Sequence, residues 1–183
     1  MGDVSHSSDG EMHYNDISGL RKRGWHLPVN VWTNAAFLLA AAYPPNPSLT
    51  WQFTMCGIGL ASGFFHATMN PKARVADNVF CALFEIVCLG WCWDWPPVVT
   101  WCMWPIVYLA QISVSKGFEV DALLVFSNLF TLVWHGHYLS LSVVLLSFAC
   151  WYQNMLGARP LPWCHAAFHV GMALAGYLLW CGR

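Results

Sequence analysis

Seven long apolar stretches follow one another along the chain, and prolines, glycines or polar residues separate them. They cover residues 29–43, 49–68, 77–95, 97–114, 119–134, 137–156 and 162–181. A bilayer core about 30 Å thick is crossed by about 20 helical residues, with a usual range of roughly 17–25. The pattern therefore predicts a bundle of membrane-crossing helices. Because several stretches are short and the break at His135-Gly136-His137 is weak, five or six crossings are alternatives to seven.

The composition excludes an ordinary soluble domain. Of the 183 residues, 57% are hydrophobic and 9% are charged, whereas a typical soluble domain has about a quarter of its residues charged. The predicted fold class is an all-α membrane protein, a seven-transmembrane helix bundle. It forms one domain over residues 25–183, after a polar tail of residues 1–24. That tail has no apolar segment before its basic run, so we do not expect a cleavable signal peptide.

The net charge argues against a nucleic-acid partner, and the cysteine spacing argues against a zinc ribbon. The net charge is −1 and no basic stripe is present, so no nucleic-acid partner is predicted. The eight cysteines lie in or beside apolar stretches and lack the paired spacing of zinc ribbons. We expect them to be unbridged and buried as small hydrophobic residues.

The basic residues are distributed unevenly over the predicted loops. With seven crossings, seven of the eight lysines and arginines fall on the side of the N-terminal tail. They are Arg21, Lys22, Arg23, Lys72, Arg74, Lys116 and Arg159, with Arg183 on the other side. Because loops rich in Lys and Arg stay in the cytoplasm, the tail is predicted to be cytoplasmic.

Five polar residues lie at the ends of three stretches that share this basic side. Ser62 and His66 are four apart near the end of the second stretch, and Asp77 opens the third. His165 and His169 are four apart at the start of the seventh. Residues four apart share one helix face, so the five side chains are predicted to meet inside one face of the bundle.

This set has the composition of a hydrolytic metal site. His165 and His169 can hold one metal ion, since their Cβ atoms should be about 5–6 Å apart. His66 would be the third ligand and leave one position for water, which is the catalytic zinc pattern. Asp77 would act as the base and Ser62 would hydrogen-bond the developing oxyanion. Taken singly, each residue has a structural alternative: a packed histidine, a small packing serine, and an Asp that caps a helix.

Other polar residues fit a site less well. His135 and His137 are two apart, so they do not share a helix face and are predicted to lie in a loop. Glu85 lies inside the third stretch without an assigned role. A retinal protein is not expected, because all lysines lie outside the stretches.

Three motifs, in this order, resemble the alkaline ceramidase family. Asn30-Val31-Trp32-Thr33-Asn34 is similar to the family's first-helix motif, with Thr in place of Ser. The second motif is a Ser and a His four apart, with an Asp eleven residues after the His, as in Ser62, His66 and Asp77. The third is His165-Ala166-Ala167-Phe168-His169. The family belongs to a wider group of seven-helix membrane hydrolases that includes adiponectin-receptor-like proteins.

The resemblance implies that His66, His165 and His169 hold zinc, with Ser62 and Asp77 assisting. It also implies hydrolysis of the amide bond of ceramide-like lipids to a sphingoid base and a free fatty acid. Two departures from the family pattern bear on details. Leu27 replaces an acidic residue of the family's calcium site, which argues against calcium, and Asn78-Val79 departs from the family's Glu and Pro after the Asp.

We expect a multi-pass integral membrane protein. Its location would be the endoplasmic reticulum or Golgi membrane in a eukaryote, or the cytoplasmic membrane in a bacterium. The expected partners are the lipid bilayer and a membrane lipid substrate. Two alternative functions remain at this point. One is a non-catalytic zinc-binding receptor or structural protein, and the other is an electron carrier with histidine-ligated haem.

Overall fold

The computed structural model describes residues 26–68, 70–113, 118–156 and 163–182. Over these ranges the chain is helical and contains no strand. The helices are α1 (His26–Thr33), α2 (Ala35–Ala42), α3 (Leu49–Thr68), α4 (Pro71–Cys92), α5 (Pro97–Ser113), α6 (Phe118–Trp134), α7 (Tyr138–Leu156) and α8 (Cys164–Cys181). The predicted all-α fold is confirmed. The predicted tail (1–24) and residues 114–117 and 157–162, which follow the fourth and sixth predicted stretches, lie outside the described residues.

The first predicted stretch is one helix with an interruption at Asn34. Two side chains compete for the carbonyl of Asn30 there: the Asn34 amide donates to it at 2.7 Å and the Thr33 hydroxyl at 3.2 Å. The Asn34 N–H bonds instead to the carbonyl of Val31, three residues back, at 3.3 Å. Such side-chain bonds compete with the regular helical pattern, so α1 and α2 are separated at this residue.

α4 begins earlier than the apolar pattern predicted, at Pro71 rather than at residue 77. The Asn70 side chain accepts a hydrogen bond from the Lys72 N–H at 2.9 Å and caps the helix. Proline at the first helical position loses no helical hydrogen bond, because the first N–H groups have no partner in the helix. Asp77 therefore lies inside α4, and the prediction that it opens or caps this helix was wrong.

The weak break at His135-Gly136-His137 is a real turn between α6 and α7. Gly136 has φ of 74°, a conformation that glycine adopts without a Cβ penalty. The His137 N–H bonds to the carbonyl of Leu132 at 2.9 Å and so ends α6. The predicted boundary between the fifth and sixth stretches is confirmed.

The helices pack in a closed circuit. α1 and α2 lie against α3, which is followed in turn by α4, α6, α7 and α8, and α8 returns to α1 and α2. α5 packs on α4 outside this circuit. The circuit brings the end of α3 and the start of α8 to the same neighbour, the first helix.

Aromatic side chains fill the core at the other end of these helices. Trp180 of α8 stacks on Trp91 of α4 with 3.8 Å between ring centroids, and it also contacts Trp51 of α3. Gly176 lets these helices approach, because a Cβ there would lie 2.9 Å from the Phe84 ring and 3.1 Å from Trp51. This packing fixes α3, α4 and α8 relative to one another.

Two of the described helices are long and apolar enough to cross a membrane, Lys72–Cys92 and Cys164–Cys181. Four more apolar helical segments are shorter, namely Val29–Ala42, Pro97–Leu109, Leu123–Trp134 and Tyr138–Tyr152. Because buried helices of soluble proteins also have these properties, two such helices support membrane association only weakly.

The eight cysteines have no disulfide among them, as expected. The expectation that the cysteines are buried is confirmed for Cys88 and Cys92 but not for the whole set. Cys81, Cys102 and Cys181 are exposed at the protein surface.

Candidate metal centre

Three histidines from two helices converge beside the first helix. His66 lies in the last turn of α3, and His165 and His169 lie in the first turns of α8. One ring nitrogen from each histidine lies within 4.8 Å of the other two. His66 and His169 are 4% and 5% exposed and His165 is half-buried. The predicted meeting of these three residues is confirmed.

The three rings lie close together and are inclined to one another. The ring centroids are 4.8 Å apart for His66 and His165, 5.0 Å for His66 and His169, and 4.5 Å for His165 and His169. No two of these rings are stacked in parallel; the interplanar angles are 72°, 54° and 75°. The three rings are therefore inclined to one another, and each brings one ring nitrogen close to the other two.

The separation of His66 and His165 fits a shared metal ion. The Nε2 atoms of His66 and His165 are 3.1 Å apart. Two imidazole nitrogens on a tetrahedral ion, each about 2.0–2.1 Å from it, would be separated by about 3.3 Å. Two such nitrogens at this distance repel unless a proton or a cation lies between their lone pairs. The three imidazoles can therefore hold a metal ion, and this donor set suits Zn, Cu, Fe or Ni.

Ser62 and Asp77 form a pair next to this group. The Ser62 side chain hydrogen-bonds the Asp77 side chain across α3 and α4. Ser62 is 3% exposed and lies one turn before His66, whereas Asp77 is half-buried. Arg74, one turn before Asp77, attracts the carboxylate electrostatically. The structure thus joins Ser62 to Asp77 and places Ser62 on the helix face that carries His66.

α1 supplies contacts to the group that sequence reasoning did not predict. The Thr33 Oγ1 lies 3.3 Å from Nδ1 of His169, and the backbone of Asn30 also hydrogen-bonds His169. Both residues belong to the first motif, whose only signal in the sequence was its resemblance to a family pattern. Nothing in that motif indicated which later helix it would contact.

Aromatic side chains surround the histidines. Phe65 lies 5.1 Å from His66, Phe168 lies 6.2 Å from His165, and Phe37 lies 6.4 Å from His169, as ring-centroid distances. An apolar shell around a metal site limits solvent access and lowers the local dielectric. Charges that develop in this region would interact more strongly than in water.

Glu85 lies away from the histidines and lines a cavity between α4, α6, α7 and α8. Its backbone carbonyl accepts a hydrogen bond from the Asn128 amide at 3.0 Å. Most of the cavity wall is apolar, and it includes Met172, three residues after His169 on α8. An apolar cavity therefore begins about one helical turn from the metal-binding group.

Comparison with known proteins assigns no family to this molecule. No protein-family model, no curated protein and no solved structure matches the chain. A functional assignment consequently depends on the geometry of His66, His165 and His169 and on their surroundings.

Proposed function

We propose that this chain is a multi-pass membrane hydrolase that uses zinc to cleave the amide bond of ceramide-like lipids, releasing a sphingoid base and a fatty acid. The observation that carries the proposal is the convergence of His66, His165 and His169 beside a paired serine and aspartate. The motif resemblance to the alkaline ceramidases supplies the bond and the lipid class. It also supports a seven-helix domain over residues 25–183.

The outer surface supports a position in the bilayer. Large apolar side chains point away from the circuit on several helices, including Leu60 at 64%, Phe126 at 70% and Leu146 at 68% exposure. In water, such an apolar surface would promote aggregation, whereas in a bilayer the lipid tails cover it. We propose seven crossings with the tail in the cytoplasm, because this arrangement collects seven of the eight basic residues on one side.

Zinc is the ion that fits the proposal best. Three histidines leave a fourth tetrahedral position for water or substrate, which is the arrangement of catalytic rather than structural zinc sites. When bound there, zinc would lower the pKa of its water to about 7 and polarise a substrate carbonyl. His66, His165 and His169 would hold it.

The Ser62–Asp77 pair is suited to proton transfer. A carboxylate accepts hydrogen bonds and the Ser62 hydroxyl has one proton to donate, so that proton is directed at Asp77 and orients its carboxylate. Asp77 can then take a proton from the attacking water and pass it to the leaving amine. Once Asp77 is protonated, the Ser62 hydroxyl is released to donate to the developing oxyanion. The two roles of Ser62 are therefore sequential.

The test is metal content and lipid hydrolysis of the purified protein in detergent, with a long-chain ceramide as substrate. We expect about one zinc per chain and release of free fatty acid, and loss of both in His66→Ala. The matched control is His135→Ala, which removes a histidine from the turn between α6 and α7. Equal zinc and equal fatty-acid release in wild type and His66→Ala would refute the proposal.

The same experiment separates the alternatives. A protein that retains zinc and releases no fatty acid from ceramides is a non-catalytic zinc-binding membrane protein. A Soret absorption band in the purified protein would indicate a haem carrier instead. The convergence of three imidazoles on one point favours a single chelated ion over a haem, which takes axial ligands from opposite faces of its ring.

The number of crossings has its own test. Reporter tags inserted in the 44–47 loop and at Gly136 should lie on the side opposite to a tag at Asn70, if the chain crosses seven times. A tag at Gly136 on the same side as the tag at Asn70 would contradict the proposed topology without affecting the metal centre.

A further inference from the structure

Among the described side chains of the first helix, that of Thr33 brings a hydroxyl to the histidine group. The Thr33 hydroxyl lies 3.2 Å from the carbonyl of Asn30 and 3.3 Å from Nδ1 of His169. A hydroxyl has one proton and two lone pairs. The backbone carbonyl can only accept, so the Thr33 proton is donated to it.

The direction of this first bond determines the second. With its proton given to Asn30, Thr33 can only accept a hydrogen bond from His169, and Nδ1 of His169 must carry the donated proton. A neutral imidazole with a proton on Nδ1 has its lone pair on Nε2.

We infer that Thr33 is a positioning residue of the proposed zinc centre: it holds His169 as the Nδ1–H tautomer and so presents Nε2 as the metal ligand. This inference rests on the proposed function for the identity of the metal. It adds α1 to α3 and α8 as a part of the centre. The hydrogen bond from Thr33 to Asn30 helps to end α1, and the same bond orients the Thr33 hydroxyl. The interruption of the helix at Asn34 is therefore linked to the position of His169.

The chemistry is that of outer ligands around metal sites. A metal-binding histidine usually donates its second ring N–H to an oxygen, which fixes the ring orientation and raises the basicity of the ligating nitrogen. Removal of such a partner typically lowers metal affinity about 10–100-fold. A loss of this size is expected if Thr33 has the role that we infer.

The test compares Thr33→Val, which removes the hydroxyl with little change of shape, and Thr33→Ser, which keeps it. Zinc affinity is measured in detergent by competition with a chromophoric chelator, without any lipid substrate. Thr33→Val should bind zinc about 10–100-fold more weakly, and Thr33→Ser should remain close to wild type. A variant that lost affinity through general damage would not be rescued by serine.

Thr54→Val is the matched control. Thr54 is fully buried in α3, and its hydroxyl bonds only to the carbonyl of Thr50 at 2.8 Å, away from the histidines. This substitution makes the same chemical change in a buried helix position and should leave zinc affinity unaltered. Thr33→Val with wild-type zinc affinity, or Thr33→Ser as weak as Thr33→Val, would overturn the inference.

A second measurement does not need the metal. Nitrogen-15 spectra of histidine-labelled, metal-free protein report the tautomer of each ring, and the His169 signals are assigned by their loss in His169→Ala. We expect the Nδ1–H form in wild type and in Thr33→Ser, and a mixture of tautomers in Thr33→Val. An unchanged His169 tautomer in Thr33→Val would overturn the inference.

The two proposals can fail separately. A wild-type protein that binds zinc and hydrolyses ceramide while Thr33→Val behaves like wild type leaves the proposed function intact and removes Thr33 from the centre. A wild-type protein without zinc removes the proposed function, and the tautomer measurement still decides whether Thr33 orients His169.

Discussion

The described histidines form two close groups, one between helices and one in a turn. The histidine cluster, His66, His165 and His169, has ring centroids 4.5–5.0 Å apart and two fully buried members. The turn pair, His135 and His137, has centroids 6.4 Å apart, and His135 is exposed. The difference comes from helical spacing. Residues four apart on α8 lie on one helix face, and the end of α3 supplies a third ring there, whereas no third histidine of the described residues joins the pair two apart.

The two histidine groups also differ in the side chains that contact them. The Thr33 hydroxyl lies 3.3 Å from Nδ1 of His169, and Ser62, one turn before His66, directs its hydroxyl to Asp77. His135 instead packs edge-on against Trp93 with 4.8 Å between centroids. A ring held by aromatic packing is a structural contact, while rings oriented by hydrogen bonds around a shared point are prepared for a ligand.

The largest expected difference between the two histidine groups is the effect of their substitution on zinc binding. His66→Ala should reduce zinc affinity more than about a hundredfold, because it removes one of three imidazoles that would share the binding free energy of the ion, which is about 10–16 kcal/mol in structural zinc sites. Amide hydrolysis should fall below detection. Zinc content by mass spectrometry of the purified protein checks the first expectation and fatty-acid release the second. If His135→Ala lost as much zinc as His66→Ala, the comparison between cluster and turn pair would collapse.

The next effect separates metal binding from proton transfer. Asp77→Asn keeps the shape of the side chain and its contact with Ser62 but removes the base. We expect hydrolysis to fall by about 10²–10⁴-fold, the usual contribution of general acid–base catalysis, with zinc content unchanged. An Asp77→Asn protein with wild-type turnover would show that the carboxylate has only a structural role. Loss of zinc in this variant would instead make Asp77 part of the metal-binding group.

A smaller effect is expected for Ser62→Ala. The substitution removes the hydroxyl that orients Asp77, and we expect turnover to fall about 10–100-fold, as for other partners that orient a functional group. Zinc affinity should stay at the wild-type level. Ser147→Ala is a suitable control, because Ser147 is a buried serine whose hydroxyl bonds to the carbonyl of Val143 within its own helix at 2.7 Å. Equal turnover in the two variants would remove Ser62 from the mechanism.

The sequence predicts the periodic features of this comparison. Apolar stretches bounded by proline and glycine give the helices, and Gly136 between two histidines marks the turn correctly. The i, i+4 spacing of His165 and His169, together with a third histidine at the end of another helix, predicts the cluster. These features depend on local pattern and on which helix ends lie on the same side, and both can be derived from the order of the apolar stretches.

The remaining features depend on contacts between distant segments or on capping. The start of α4 at Pro71 follows from the Asn70 cap, which apolar periodicity does not detect. The contact of Thr33 with His169 links residues far apart in the chain, and it requires knowledge that α1 packs on α8. The exposure of Cys81 and Cys181 depends on the rotation of each helix in the circuit. In a chain that is apolar on nearly every face, composition does not reveal that rotation.

The smallest effect tests the structural half of the comparison. His135→Ala removes the edge-on contact with Trp93, and we expect a loss of about 0.5 kcal/mol in the free energy of unfolding, at the low end for aromatic pairs because the ring is exposed. The Trp93 indole keeps its hydrogen bond to the Thr131 hydroxyl at 3.1 Å, which limits the loss. Thermal unfolding in detergent should show a midpoint lower by about 1–2 °C, with zinc affinity and hydrolysis unchanged. A clear change in hydrolysis with stability unaltered would mean that the turn pair contributes to function, and helical spacing would no longer suffice to tell the two histidine groups apart.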